Sequence, residues 1–121
     1  MTQEKIIEGN KLIAEFMGAI WGKSTGWEFG QFSSVYSRCG NNLKFHLSWD
    51  WLMPVVEKII SLNYGFNLIL TTTNTRHCVI YSGNGEYDNL LHGDEQIINI
   101  VWKSVVEFIK WYNNINISLT K

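Results

Sequence analysis

The chain has 121 residues, the usual size of a single domain, and hydrophobic residues make up 45% of it, too many for a disordered chain. Ten Lys and Arg are balanced by eleven Asp and Glu, which gives a net charge of −1. Nucleic-acid-binding domains usually carry a basic excess and a DNA mimic needs a large acidic one, so the charge balance argues against both classes.

Residues 3–20 are predicted to form the first helix, because apolar residues recur there at helical spacing. Gly18 is a candidate for its end. The following segment, residues 21–42, mixes Gly and Ser with aromatic residues and has no helical period. It is predicted to be a long loop with one short strand at 28–36. Loops of this length in small domains often carry function.

Residues 43–48, LKFHLS, alternate between apolar and polar, which predicts a half-buried strand. A second helix follows, and either Ser48 or Asp50 can cap its first amides. If Asp50 is the cap, Pro54 is the fourth helical residue. Its missing amide then lies near the helix start, where it costs least. The apolar residues of 52–62 are expected to form the buried face.

This helix is expected to end at Asn63 and Gly65. Residues 66–73 and 77–83 are then predicted to pair as an antiparallel hairpin. Alternation places Phe66, Leu68 and Leu70 on one face, with either Cys78 and Ile80 or Val79 and Tyr81 beside them. The Asn84-Gly85 turn leads to a possible last strand at 87–91.

Residues 94–113 have the strongest helical pattern, with Asp94 as the cap and a continuous apolar stripe. The tail from Asn114 is predicted to fray. Helices and strands therefore alternate in blocks, and no linker interrupts them. The prediction is one α+β domain over residues 1–121, in which an antiparallel sheet of about four strands packs with three α-helices.

Residues that could carry catalysis or bind a metal lack the spacing that either role needs. None of His46, His77 and His92 lies one helical turn from another ligand, and His77 and Cys78 point to opposite faces if they lie on a strand. A nucleophilic Cys78 would need His46 or His92 as a nearby base, but a buried structural cysteine is commoner. We predict no catalytic residue, no cofactor and no metal. Cys39 and Cys78 are expected to be reduced thiols, with a disulfide as the alternative.

Aromatic residues are the best candidates for contact with a partner, because Trp and Tyr commonly anchor binding surfaces. Four of the chosen candidates lie in the loop of residues 21–42, where a core is least able to bury every aromatic residue. Two more lie off the main stripe of the last helix, either packed under that loop or exposed. The predicted partner-binding residues are Trp21, Trp27, Phe29, Tyr36, Trp102 and Trp111.

Three stretches of the sequence, one in each predicted helix, are similar to sequences of a known family. They are NKLIAEFMG at 10–18, SWDWLMPVVEKI at 48–59 and VWKSVVEFIKWYN at 101–113. Together they resemble a family of small uncharacterised proteins from phages and prophages of Bacteroidota. That family is similar to phage domains described as α-β-α sandwiches. The three motifs are structural and bring no catalytic residues with them, so the resemblance implies a protein that binds and is not an enzyme.

Several small phage proteins of this kind resemble inhibitors of bacterial immunity, including anti-CRISPR proteins. The resemblance therefore implies a phage-encoded protein that inhibits a CRISPR effector, or its guide-RNA complex, by protein–protein contact. The near-neutral net charge favours binding to a protein surface, and we expect no sequence-specific nucleic-acid binding. No apolar run is long enough to span a membrane and no signal core is present, so we expect it in the cytoplasm of the infected or lysogenic host.

Two other functions stay open. The protein could be a phage assembly module or a homo-oligomer that uses the last helix, including Trp102, as a symmetric interface. It could instead bind a small molecule such as a nucleotide immune signal. The latter needs several positive groups around the phosphates, and Arg38 and Arg76 are the only arginines.

Overall fold

A computed structural model describes the backbone of residues 2–22, 26–28, 43–70, 75–93 and 95–120, and the side chains of residues 2–19, 43–70, 75–93 and 95–115. The elements in chain order are α1 (Gln3–Phe16), β1 (Ile20–Gly22), β2 (Gly26–Glu28), α2 (Trp49–Ser61), β3 (Tyr64–Leu70), β4 (Arg76–Ser82), β5 (Asp88–Gly93) and α3 (Ile97–Thr120). The predicted α+β class with three helices is confirmed. The main sheet has three strands, where about four were predicted, and β1 and β2 form a separate antiparallel ribbon.

Helix α1 has side-chain and backbone caps at its two ends. The Thr2 hydroxyl accepts a hydrogen bond from the Lys5 amide at 3.3 Å. At the other end Gly18 adopts a φ of 84°, and the Ala19 amide donates to the Ala14 carbonyl at 2.9 Å. This is the Schellman arrangement, in which a left-handed glycine lets the chain bond back onto the last turn. The prediction that the helix begins to end near Gly18 is confirmed.

The strand predicted at residues 43–48 is wrong, because these residues form a turn. The amides of Leu47 and Ser48 both donate to the Lys44 carbonyl at 3.0 Å. Phe45 is buried, as the alternation suggested, but Leu47 is 71% exposed. A turn can also bury Phe45, and it makes its backbone hydrogen bonds locally. It therefore fits the alternating pattern of residues 43–48 without needing a neighbouring strand.

Helix α2 begins at Trp49, so of the two predicted caps Ser48 takes the position and Asp50 lies in the first turn. Pro54 is consequently the sixth helical residue and lies half a turn deeper than predicted. Its missing N–H leaves out the bond to the Asp50 carbonyl. The first bond of the helical ladder, from the Leu52 amide to the Ser48 carbonyl at 3.0 Å, is still made.

The C-terminal end of α2 is stabilised by a left-handed residue that follows it and by contacts of Lys58 with α1. Asn63 follows the helix with a φ of 72°, the left-handed conformation expected at a helix end. Gly65, which was predicted to share that role, instead lies within β3, opposite Tyr81. Near the same end, Lys58 donates to the carbonyl of Phe16, the last residue of α1, and its ammonium lies 4.5 Å from the centre of the Phe16 ring. Burial lowers the pKa of Lys58.

The main sheet has the order β3-β4-β5, with every pair antiparallel. Cys78 and Ile80 are fully buried, which settles which residues of β4 face the core. Phe66 and Leu68 pack against that core as predicted. Leu70 does not, because it lies at the end of its strand and is 58% exposed.

All three helices lie on the core face of this sheet. Helix α2 packs on β3, α3 packs on β4 and β5, and α1 packs mainly on α3.

Helix α3 begins at Ile97, after Gln96, whose carbonyl accepts from two amides of the first turn. The predicted cap Asp94 lies outside the described residues. The tail from Asn114, predicted to fray, is helical to Thr120. None of the described helices has the length and hydrophobicity needed to cross a membrane.

A close approach between α1 and α3 depends on Gly9. A Cβ added to Gly9 would lie 2.5 Å from Cη2 of the Trp102 ring and 3.1 Å from Val106 Cγ2. Trp102 is only 3% exposed and cannot swing out of the way. The glycine, which the sequence marks only as a weak point in a helix, lets the indole lie against the backbone of α1.

Candidate interaction surface

The predicted contact residues of the loop at 21–42 are only partly described. Trp21 and Trp27 lie opposite each other in the β1–β2 pair, and the orientation of their side chains is outside the described part of the chain. Phe29 and Tyr36 lie outside the described residues altogether. In the described part of this region, residues 20–22 pair with residues 26–28. The strand predicted at 28–36 shares only residue 28 with this pair, and its other residues lie outside the described part of the chain.

The two predicted contact residues of α3 belong to the interior. Trp102 is 3% exposed. Trp111 is half-buried, with its ring centre 4.5 Å from that of Tyr87 and 5.9 Å from that of Tyr64. A symmetric interface built on Trp102 would have almost no exposed indole surface to use. Both tryptophans are better explained by packing than by contact with a partner.

A buried polar network joins α1, α3 and the turn before α2 through the side chain of Asn10. The Trp102 indole N–H donates to Asn10 Oδ1 at 2.8 Å, which fixes the orientation of the amide because an indole can only donate. Asn10 Nδ2 then donates to the Leu43 carbonyl at 3.3 Å and to His46 Nδ1 at 2.9 Å. His46 must therefore accept at Nδ1, which requires the neutral imidazole with its proton on Nε2.

We expect the protein to lose stability as the pH falls below about 6.5, the ordinary pKa of histidine. Burial lowers the pKa of His46 in the folded protein, so the unfolded chain takes up this proton first. The stabilisation is complete above the unfolded pKa and is lost as the pH falls toward the folded one. Urea unfolding between pH 7.5 and 5.5 measures this loss.

The matched control is His46→Gln, whose side-chain oxygen can still accept from Asn10 but takes up no proton. The stability of this variant should depend less on pH across the same range. Equal pH dependence in the two proteins would show that His46 is not the responsible group.

Cys78 is poorly placed to act as a nucleophile. Burial raises the pKa of its thiol, and the nearby Ser104 hydroxyl offsets only part of that effect. A thiolate is the reactive form, so a raised pKa reduces reactivity. Cys78 faces the core while His92, one of the two bases considered for it, lies on the opposite face of the sheet. Cys39 lies outside the described residues.

A cleft of about 920 Å³ lies between α1, β5 and α3. Its apolar lining comes from Leu91, Trp102 and Val106, and its rim carries three lysines and two glutamates: Lys5, Lys103, Lys110, Glu8 and Glu107. Lys103 is paired with Glu95 at 2.7 Å, and Lys110 lies 3.6 Å from Glu107. Positive charge is therefore balanced within the cleft, which gives a phosphate group no concentrated set of donors.

The other face of the main sheet, which we call the outer sheet face, is covered by none of the described helices. Strand register arranges its side chains in three cross-strand rows. One row is Gly65–Tyr81–Asp88, the next is Asn67–Val79–Leu90, and the third is Ile69–His77–His92. Ile69 and Leu90 are each 51% exposed, and Tyr81 is 38% exposed. The Tyr81 ring lies directly over Gly65, where a Cβ would collide with it.

The composition of the outer sheet face is unusual for a solvated surface. Antiparallel sheets commonly pair a buried apolar face with a polar face turned to water. Among its nine described residues the outer sheet face has apolar side chains at its centre and only one Asp or Glu, Asp88, with no Lys or Arg. Depletion of charge with enrichment of aromatic and apolar residues is typical of the core of a protein interface.

The outer sheet face was missed in the sequence, although a signal was present. Ile69 lies between Leu68 and Leu70, and Val79 lies between Cys78 and Ile80, so both faces of these strands carry apolar residues. Continuous apolar strands are typical of sheets that are covered on both sides. Alternation alone assigns one face of each strand to the core, and a second apolar face is the signal for the outer surface.

Comparisons with known proteins add no relative on which to base a function. No family model matches the sequence, and no curated protein or solved structure is significantly similar to it.

Proposed function

We propose that the protein binds another protein through the outer sheet face. The observation that carries this proposal is a solvent-exposed sheet face with an apolar centre, whose nine described residues include a single carboxylate and no Lys or Arg. Tyr81, Val79 and Leu90 form its middle. Burial of such a face against an uncharged protein surface is favourable, because little polar surface has to be stripped of water.

The chemistry of this face favours protein over nucleic acid as the partner. A nucleic-acid surface requires Lys or Arg to neutralise phosphates, and the outer sheet face has neither among the residues that the structure describes there. The partner is therefore expected to present an apolar and largely uncharged patch of its own.

The size of the face bears on the kind of complex. Between its outermost Cα positions the face measures roughly 13 Å along the strands and 10 Å across them, from the usual strand dimensions. A typical specific interface buries about 800 Å² on each partner, and obligate dimers bury much more. The outer sheet face therefore fits the centre of a contact with a different protein, with the rim supplied by neighbouring surface.

The finer proposal is that this partner is a bacterial defence effector, and that the protein is a phage-encoded inhibitor of a CRISPR effector complex. Its support is the resemblance of the motifs at 10–18, 48–59 and 101–113 to small phage proteins, together with the near-neutral charge. Inhibition would follow from occlusion, because a bound domain denies the effector's own ligands access to the surface that it covers.

The test is binding to a purified Bacteroidota CRISPR effector with its guide RNA, with and without nuclease treatment. We expect the wild-type protein to retain the complex in both samples. Leu90→Lys should weaken binding at least about tenfold, because it would bury an unpaired ammonium at the centre of the contact. Circular dichroism and thermal unfolding check that the variant is folded.

The matched control is Ile60→Lys on α2. Ile60 is 50% exposed, almost the same as Leu90 at 51%, but lies on the helical side of the protein. Ile60→Lys should bind like the wild type. Equal weakening by both substitutions would contradict a contact through the outer sheet face. Failure to bind any effector complex would contradict the finer proposal, and a stable dimer in light scattering that Leu90→Lys dissolves would replace the partner with a second copy.

A further inference from the structure

Two histidines lie side by side on the outer sheet face. His77 on the central strand β4 is directly opposite His92 on β5 in the strand register. Their ring centres are 5.8 Å apart, with an angle of 34° between the ring planes. No local pattern pairs these two histidines, because they are 15 positions apart and have no ligand spacing. The antiparallel register brings them together.

The distance between the rings is close to what a shared metal ion requires. An imidazole nitrogen binds zinc at about 2.0–2.1 Å, so two imidazoles on one tetrahedral ion have ring centres roughly 5–6 Å apart. The observed 5.8 Å lies in that range. Because the two Cα positions are already held by the β4–β5 pairing, side-chain rotation alone can turn a nitrogen of each ring toward a common point.

The surroundings of the pair leave room for an ion to enter from solvent. His92 is exposed and His77 is half-buried, and the third residue of their row is the exposed Ile69. Asp88, the only acidic residue among those described on this face, lies opposite Tyr81 at the far end, four residues along β5 from His92. That is roughly 13 Å away, too far to serve as a third ligand.

We propose that His77 and His92 together bind one divalent transition-metal ion, with its remaining coordination positions filled by water or by an external ligand. The described residues contain no cluster of three or more His, Cys, Asp or Glu, so that part of the chain supplies two ligands at this point. Imidazole nitrogens select zinc, copper, nickel and cobalt over magnesium and calcium, which prefer oxygen ligands. The open positions make this a site that exchanges its metal, in contrast to a closed structural site.

The test is calorimetric titration of the untagged full-length protein with Zn²⁺ and Ni²⁺ at pH 7.5, with Mg²⁺ for comparison. We expect one zinc or nickel ion per chain and no heat from magnesium. His77→Gln and His92→Gln should each weaken binding at least tenfold, since loss of a second-shell partner alone typically costs about 10–100-fold in metal affinity. His46→Gln removes the third histidine and should leave the affinity unchanged.

A second measurement locates the ion without relying on the variants. In NMR spectra of the wild-type protein, substoichiometric Ni²⁺ should broaden the ring signals of His77 and His92 before those of His46. Absence of zinc and nickel binding would overturn the proposal, as would an affinity that survives His92→Gln or first broadening at His46. These titrations use the isolated protein, so their result does not depend on whether a protein partner binds the same face.

Discussion

Replacing Asn10 with leucine should lower the free energy of unfolding by about 3 kcal/mol, because leucine fills a similar volume but leaves the Trp102 indole N–H and the Leu43 carbonyl without their partner. Asn10 is 3% exposed, so water cannot easily take its place. Chemical denaturation at pH 7.5, followed through tryptophan fluorescence, measures the loss.

A double-mutant cycle with Trp102→Phe isolates the indole bond. Without an indole N–H, the cost of Asn10→Leu should fall by about 1–2 kcal/mol. A cost that is the same in both backgrounds would show that the bond to Trp102 is not what Asn10 contributes.

Asn10→Asp provides a second control, since a carboxylate can still accept from the indole but cannot donate to Leu43 or to neutral His46. Its deficit should shrink between pH 7.5 and 5.5, because protonation of either the buried carboxylate or His46 relieves the conflict. The wild-type protein, by contrast, is expected to lose stability over the same fall in pH.

Replacing Gly9 with alanine should lower the free energy of unfolding by about 2 kcal/mol. Overpacking of a well-filled core typically costs about 1–3 kcal/mol, and the better helix propensity of alanine offsets only about 1 kcal/mol of a larger steric cost. The added Cβ would meet the Trp102 ring and Val106 at distances that require α1 and α3 to separate. The midpoint of thermal or urea unfolding gives the change.

The matched control for this prediction is Glu8→Ala, one position away on the same helix and exposed to solvent. It should change stability by less than about 0.5 kcal/mol, as surface substitutions usually do. Combining Gly9→Ala with Trp102→Leu should remove most of the glycine effect, because the colliding ring is then absent. An alanine at position 9 that stabilises the protein would mean that α1 and α3 are not this close.

The fold could be predicted where the pattern was long and one face was buried. The helices around Ile13, Ile59 and Phe108 and the strands around Leu68, Ile80 and Leu91 each place a repeated apolar face on the core. Such periodicity depends only on local geometry, so one sequence is sufficient to detect it. The choice of Cys78 and Ile80 over Val79 and Tyr81 could not be made locally, because β4 is apolar on both faces.

Short or context-dependent features were not predictable in the same way. The alternation of LKFHLS over 43–48 fits a strand and a turn equally well, and tertiary packing of Phe45 decides between them. Ser48 takes the cap position in place of Asp50, although its side chain makes no capping hydrogen bond, so no local signal distinguished the two. The role of Gly9 depends on Trp102, 93 positions away, and no local rule connects them.

The candidate surface illustrates the same limit for function. Aromatic composition predicts contact residues, but the structure uses Trp102 and Trp111 of α3 for packing. The outer sheet face and its histidine pair arise from strand register, which alternation within a single strand does not specify. β3 and β4 each carry apolar residues on both faces, but only the register shows which residues of the three strands share the outer surface.

The bond between Asn10 and Trp102 spans 92 positions of the sequence, and this separation has a consequence for how the protein is made. At about 5–20 residues per second, roughly 5–20 s of synthesis separate the two residues on the ribosome. During that interval the strands of the sheet can pair locally. The apolar face of α1 stays exposed, because α3 is its main packing partner. Docking of α1 should therefore be a late folding step that closes a long loop, and the nascent chain should be most prone to aggregation just before α3 emerges.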